Sequence, residues 1–148
     1  MSKLIQDLTY ISRCGARYRN RLLEPLGLKA RQSLTLVTLC EEPGISQDAL
    51  AQKVALDKSN VTRHLTTLEE SGLVERRSCT KDKRITRLYP TAKALELLPQ
   101  IRSAAQAWEQ LVTQELSREE LEVLERTLAI MRQKATAWME VDRIGQAE

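Results

Sequence analysis

Hydrophobic residues recur along the first two dozen positions at intervals of three and four: Leu4, Leu8, Ile11, Gly15, Tyr18 and Leu22. That is the stripe of an amphipathic helix, and Pro25 and Gly27 close it, so the spacing predicts a first helix over about residues 3–24. A second helix, over about residues 29–42, carries Leu34, Val37 and Cys40 and stops at Pro43-Gly44. Ser46 then reads as an N-cap, with Ile45 and Leu50 at the staple positions of a short helix over about residues 46–54. The same grammar returns with Asp57 as cap and Leu56 and Val61 as staple, opening a helix that ends at Gly72, a residue suited to a left-handed C-terminal cap.

After Gly72 the period changes. Leu73 to Ser78 and Ile85 to Tyr89 are strand-compatible runs around a polar tip, Cys79 to Arg84, and predict a β-hairpin. Two short helices over 46–71 joined by a tight turn, followed at once by a basic hairpin, make a winged helix-turn-helix. Pro90-Thr91 opens a fifth helix striped by Leu95, Leu98, Ile101, Ala105, Trp108 and Val112, which Pro99 is expected to interrupt and kink. Ser117-Arg118-Glu119-Glu120 is a capping box with Leu116 and Leu121 as its staple. The sixth helix starting there carries Leu121, Leu124, Leu128, Met131, Ala135 and Trp138 and frays near Gly145. The expected fold is mainly α with a small β-hairpin wing: one domain over 1–148, with 1–28 and 91–148 as a helical dimerisation layer and 29–90 as a winged helix-turn-helix lobe. The flanking helices carry more apolar surface than the winged helix needs, which favours a dimer layer over intrachain core.

A chain of 148 residues suffices for one ordinary core. Its longest run without a charge, Gln32 to Cys40, is nine residues, against about 20 needed to span a bilayer as a helix. The N-terminus lacks the plan of a secretory signal, so the expected compartment is the cytoplasm and no membrane partner is expected. Three cysteines without a Cys-x-x-Cys pair and a single histidine argue against disulfides, metal and a catalytic triad. Neither a nucleophile–base pair nor a Gly-rich phosphate loop is written, so the expectation is no enzyme, no cofactor and no metal.

Charge is uneven. Residues 1–52 carry seven Lys/Arg against five Asp/Glu, residues 53–93 ten against five, and residues 94–148 six against ten. A cationic centre beside an acidic C-terminal third suits a protein that meets a polyanion with one surface. In the helix from Lys58 to Ser71, Val61, Leu65 and Leu68 share the buried face. Ser59, Arg63 and Thr66 lie opposite, with Thr67 just beyond and Asn60 and Thr62 on the shoulders. Arginine can bond guanine bidentately, asparagine can bond adenine, and threonine methyls can touch thymine, so this face suits a major groove. Glu69 and Glu70 fall at the far end, where repulsion from phosphate would help set the tilt. The hairpin sets Arg76, Arg77, Lys81, Lys83, Arg84 and Arg87 against Asp82, charges suited to phosphate.

These residues resemble the MarR family of bacterial winged-helix transcription regulators. The likeness is densest from Ile45 to Leu95, where LDKSNVTRHLTTLEESGLVERR is similar to the family's recognition helix and first wing strand. Asp82-Lys83-Arg84 matches the wing's Asp-x-Arg signature. The resemblance implies an obligate homodimer, built by the N- and C-terminal helices, on a pseudo-palindromic double-stranded DNA operator. Ser59, Asn60, Thr62 and Arg63 would face the major groove, and Arg84, oriented by Asp82, would enter the minor groove. It also implies a small-molecule effector that alters the spacing of the two recognition helices. Lys29 departs from the family's usual Ser/Thr cap, and Pro99 from its uninterrupted fifth helix.

Tyr10, Cys14 and Tyr18 stand at i, i+4 and i+8 on the first helix beside Arg13 and Arg17, and nearby cations favour a thiolate. One branch of the family senses hydroperoxides with a tyrosine-bonded cysteine in this helix, but ISRCGARYRN does not closely match its motif. Packing is the competing reading of Cys14. Cys40 reads as core, Cys79 as exposed on the wing tip, and His64 as a boundary residue. Trp108, Tyr10 and Tyr18 are the aromatics available to an effector pocket. The expected function is therefore a sequence-specific dimeric DNA-binding transcription regulator, most simply a repressor released by a small molecule. The rivals are redox sensing through Cys14 and a winged helix used as a protein-interaction module.

Overall fold

The computed structural model describes residues 1–146. Helix α1 (Lys3–Leu23) runs into a 3-10 turn (Glu24–Leu26), then come α2 (Ala30–Glu41), β1 (Ile45–Ser46), α3 (Gln47–Lys53) and α4 (Lys58–Glu70). The wing strands β2 (Val74–Ser78) and β3 (Thr86–Pro90) follow, then α5 (Ala92–Thr113) and α6 (Arg118–Gln146). The chain forms two compact units, Met1–Trp108 and a second from Glu109 on.

In the first unit the predicted caps are in place. Ser46 Oγ accepts from the Ala49 amide and Asp57 Oδ1 from the Asn60 amide, satisfying amides that a helix start leaves without partners. Gly72, at φ +72°, closes α4 in the left-handed conformation that glycine adopts at least cost. Leu36, Leu39, Leu50, Val61, Leu65, Leu68, Leu73 and Leu88 are almost wholly buried in one core, joined by Leu23 from α1 and Ile101 from α5. The core therefore takes α4 by its Val61/Leu65/Leu68 face and turns the opposite face to solvent.

The predicted β2–β3 hairpin is in place with one strand added, and three expectations are corrected. The wing is a three-stranded antiparallel sheet in the order β1-β3-β2, because Ile45 and Ser46 pair with Leu88 and Arg87 before the chain enters α3. Gly44, at φ +87°, makes the sharp turn into β1 and donates its amide to the Leu88 carbonyl. On α2 the core face is Leu36 and Leu39 with buried Gln32, Ser33 and Thr35, whereas Leu34 is exposed and Val37 and Cys40 are half-buried. On α5 Ile101 is buried as predicted, but the other buried positions are Ala94 and Ala104, each one residue before the predicted Leu95 and Ala105, which are exposed. Polar and small residues fit these interfaces because hydrogen bonding and close helix approach, as well as hydropathy, decide what is buried. Pro99 does not interrupt α5; it lies exposed within one continuous helix, where solvent can hydrate the Leu95 carbonyl that loses its partner.

The absent Ser/Thr cap at Lys29 is replaced from another helix. Asn20 Oδ1, near the end of α1, accepts from the Ala30 amide at 2.6 Å, and Gln32 Oε1 accepts from the Lys29 amide at 3.3 Å. Asn20→Ala is expected to destabilise the fold by about 1 kcal/mol, the usual cost of a lost N-cap, in a urea melt.

The second unit holds the end of α5 and all of α6. Ser117 Oγ accepts from the Glu120 amide while Glu120 Oε2 accepts from the Ser117 amide, the reciprocal capping box. Within one chain no described residue of α6 is buried, and Leu124, Leu128, Trp138, Val141 and Ile144 stand exposed. Among the described residues no helix is long and apolar enough to cross a membrane.

Candidate nucleic-acid interface

The exposed face of α4 is a set of linked side chains. Asp57, the N-cap, spends one oxygen on the Asn60 amide and accepts from Asn60 Nδ2 with the other at 2.7 Å. Asn60 Oδ1 in turn accepts from Arg63 Nη2 at 2.7 Å. These bonds, those from Asn60 first, hold the Asp57 carboxyl below its ordinary pKa. The relay holds the Arg63 guanidinium on the helix surface while most of its donors remain free. Asn60 is thereby an orienting group with only one amide hydrogen left for a base.

The threonines are similarly committed. Thr62, Thr66 and Thr67 donate their hydroxyls to the carbonyls of Lys58, Thr62 and Arg63, four residues back, leaving acceptor lone pairs and methyl groups for a base edge. Thr62 Oγ1 also accepts from Gln47 Nε2 at 3.0 Å, which ties α3 to α4. Ser59 is exposed in the first turn of α4. Gln47 was missed by sequence reasoning, since nothing in a helical period tells which polar residue of α3 reaches α4.

The six basic residues of the hairpin divide by position. At its base, Arg76 Nη2 donates to Thr66 Oγ1 and its Nε lies 2.7 Å from Glu69 Oε2. Arg77 pairs with Glu75 and sits 4.4 Å over the Tyr89 ring, a cation–π contact. Arg87 donates to the Gly44 carbonyl at 3.2 Å. At the tip, Lys81 and Lys83 are exposed. Arg84 presents a side chain 91% exposed, with its Nε and Nη2 both donating to Asp82 at 3.1 Å. That fork depresses the Asp82 pKa while the arginine stays almost fully exposed. Cys79 lies half-exposed beside it, its thiol pKa lowered chiefly by the backbone amides of Asp82 and Lys81, whereas burial raises that of Cys40.

His64 follows Arg63 and faces the core boundary, with Nδ1 3.2 Å from the buried Thr35 Oγ1. Burial, then Arg31 and Arg63, depress its pKa. The folded state thus takes up a proton less readily than the unfolded chain, so stability is fully present above about pH 6.5 and is lost as pH falls toward the lowered folded value. Thermal melts between pH 8 and 5 should show this loss in the wild type and a flatter profile in His64→Gln.

On α1, Tyr10 is exposed and Cys14 half-buried, and within the described chain no hydrogen bond joins the thiol to Tyr10 or Tyr18. Tyr18 instead packs on Trp108, ring centroids 5.6 Å apart. Gly15 makes room for that indole: a Cβ there would lie 2.7 Å from Trp108 Nε1.

An exposed helix face thus stands beside a basic-tipped wing. The MarR family model matches residues 28–86. YybA, an uncharacterized helix-turn-helix-type transcriptional regulator of Bacillus subtilis, is 27% identical over 128 residues, 86% of this chain and 85% of its own. The crystal structure of the transcriptional regulator SlyA superposes with a TM-score of 0.88 at 30% identity, covering 92% of this chain and 96% of SlyA. The chain belongs to the MarR family. It is a MarR-family transcription regulator with a winged-helix DNA-binding fold. A Listeria monocytogenes protein assigned to the same family and solved with a 26-mer DNA shares the fold, with a TM-score of 0.88 at 24% identity over 97% of this chain and 96% of that one. In this MarR-family chain the matched residues span the approach to α2 through the first residue of β3, the stretch that contains both the Asp57–Asn60–Arg63 relay and the Asp82–Arg84 fork.

Proposed function

We propose that this regulator is a homodimeric, sequence-specific repressor that reads a pseudo-palindromic operator in double-stranded DNA and is released by a small molecule. The observation that carries the reading is the Asp57–Asn60–Arg63 relay, which holds an arginine fork on the solvent face of α4. An arginine oriented before binding suits bidentate contact with guanine in the major groove, with the Ser59 hydroxyl and the Thr62 and Thr67 methyls around it. Lys81, Lys83 and Arg84 form the charged tip that suits phosphate and a narrow minor groove. The DNA-bound Listeria relative supports the same use of the fold.

Dimerisation is supported by the apolar positions exposed within one chain, Leu4 and Ile11 on α1 and Leu124, Leu128 and Trp138 on α6. A two-fold dimer binds half-sites only when its recognition helices have the matching separation, so a ligand that shifts them releases the DNA. We place that ligand at the Tyr18–Trp108 aromatic pair, with Tyr10 and Cys14 on the same helix. Redox sensing at Cys14 gains no support from its contacts.

The test is fluorescence anisotropy of the purified protein on duplex DNA from upstream of its own gene, titrated with salt and with unrelated duplex as competitor. A repressor of this kind binds that DNA selectively, with affinity falling steeply in salt. Failure to bind any duplex at low salt would end the reading in favour of a protein-interaction module.

A further inference from the structure

We propose that Arg76 is a positioning residue: together with Glu69 and Thr66 it braces the recognition helix against the wing and sets where Arg63 stands relative to Arg84. This rests on the DNA-binding reading above. It gives Arg76 and Thr66 a different task from the phosphate and base contacts that their residue types suggest.

Arg76 lies in β2 opposite Leu88 of β3, and its side chain, only 26% exposed, folds back onto α4 instead of reaching outward. Its Nη2 donates to Thr66 Oγ1 at 3.1 Å and its Nε lies 2.7 Å from Glu69 Oε2. The Nε atom is shielded from solvent and its N–H is not aligned on an acceptor, so the Glu69 contact is one of charge against charge in a confined place. The two anchors stand three residues apart on one face of α4, so the planar guanidinium spans nearly a helical turn. Arg63, by contrast, stands one turn nearer the N-terminus and is exposed.

A half-exposed ion pair contributes little to global stability, roughly 0 to 1 kcal/mol, so holding the fold together does not explain the arrangement. Orientation does. A recognition helix enters the groove by its N-terminal half, and its tilt is set by whatever holds the other half. Here that hold comes from the strand that leads to the wing tip, so major-groove and wing contacts are coupled through one side chain. Arg76 also neutralises Glu69, one of the two carboxylates at that end of the helix, and so softens its repulsion from a phosphate backbone.

The proposal is tested with the full-length protein on a duplex that the wild type enriches from a random pool, against unrelated duplex. Wild type, Arg76→Gln, Arg76→Lys, Glu69→Gln and the double variant Arg76→Gln/Glu69→Gln are compared for affinity and for its salt dependence. A brace predicts that Arg76→Gln and Glu69→Gln each weaken the enriched site on the order of ten-fold, within the range of couplings between touching residues, and that the double variant is no worse than either. Unrelated duplex and the salt slope stay near wild type, and Arg76→Lys does not restore selectivity because an ammonium cannot span both anchors.

A direct phosphate role predicts the opposite pattern: Arg76→Gln lowers the slope by about 0.9 for each phosphate left unneutralised, weakens both duplexes alike, and is rescued by lysine. That result overturns the proposal, as does tighter binding of both duplexes by Glu69→Gln, the sign expected of a merely repulsive carboxylate. If Arg76→Gln does not fold, the exposed Glu69→Gln substitution decides by that sign alone. A wild type that enriches no sequence removes the DNA-binding reading itself, an outcome distinct from a selective wild type with a lowered slope in the variant.

Discussion

Arg63→Ala is expected to lower operator affinity by about 1 to 3 kcal/mol per half-site and to relax discrimination at the base pair it reads. Because a two-fold dimer presents the residue twice, the loss over a whole operator is roughly 2 to 6 kcal/mol if the two half-sites are independent. The fold should be untouched, since Arg63 is exposed and the buried face of α4 is Val61, Leu65 and Leu68. Asn60→Ala should show a smaller loss of the same kind, because it removes the acceptor that orients the guanidinium and leaves the guanidinium itself. Lys81→Ala is the contrast: an exposed wing-tip charge should weaken all duplexes similarly and reduce the salt slope by about 0.9 for each phosphate it neutralises. Anisotropy titrations on matched and mismatched operators at several salt concentrations check all three. An Arg63→Ala protein with unchanged selectivity would remove this residue from the reading surface.

The second large effect is expected from Leu124→Glu combined with Leu128→Glu on α6. Both leucines are exposed in the single chain, and burying such a side chain is worth about 1.5 to 3 kcal/mol. Placing carboxylates there replaces that gain with the cost of burying unpaired charge at the proposed dimer contact. Sedimentation equilibrium should then show a monomer, and operator affinity should fall by about 10³ or more, toward non-specific binding, because one protomer covers one half-site. Circular dichroism should still report the winged-helix unit, whose core of Leu36, Leu39, Leu65 and Leu88 lies outside α6. A double variant that remains dimeric would show that this stripe is not the contact.

The solvent face of α4 and the helix caps were legible in the chain because they depend on neighbours three or four residues away. The Ser46, Asp57 and Ser117 caps, the left-handed Gly72 and the Val61/Leu65/Leu68 face all follow from local spacing and appear where that spacing puts them. The stripes of α2 and α5 were less legible. Leu34 and Leu95 look like core by hydropathy, yet both are exposed, while Thr35 is wholly buried beside His64. Which face of a helix is covered depends on what packs there, and period alone does not carry that information.

The wing separates the two kinds of information most clearly. Composition, caps and period, which are properties of short stretches of chain, sufficed for a winged helix with a basic hairpin, and the likeness of Ile45 to Leu95 to known sequences pointed to the MarR family. Which partner each basic residue meets follows only from the folded arrangement. Arg76, Arg77 and Arg87 are equal to Lys81, Lys83 and Arg84 in charge, but the first three meet Glu69, Tyr89 and the Gly44 carbonyl. The other three stand at the tip in solvent. Charge is a property of the residue, whereas its availability to DNA depends on partners as far away as the 43 positions that separate Gly44 from Arg87, brought together only when the sheet closes on the helices.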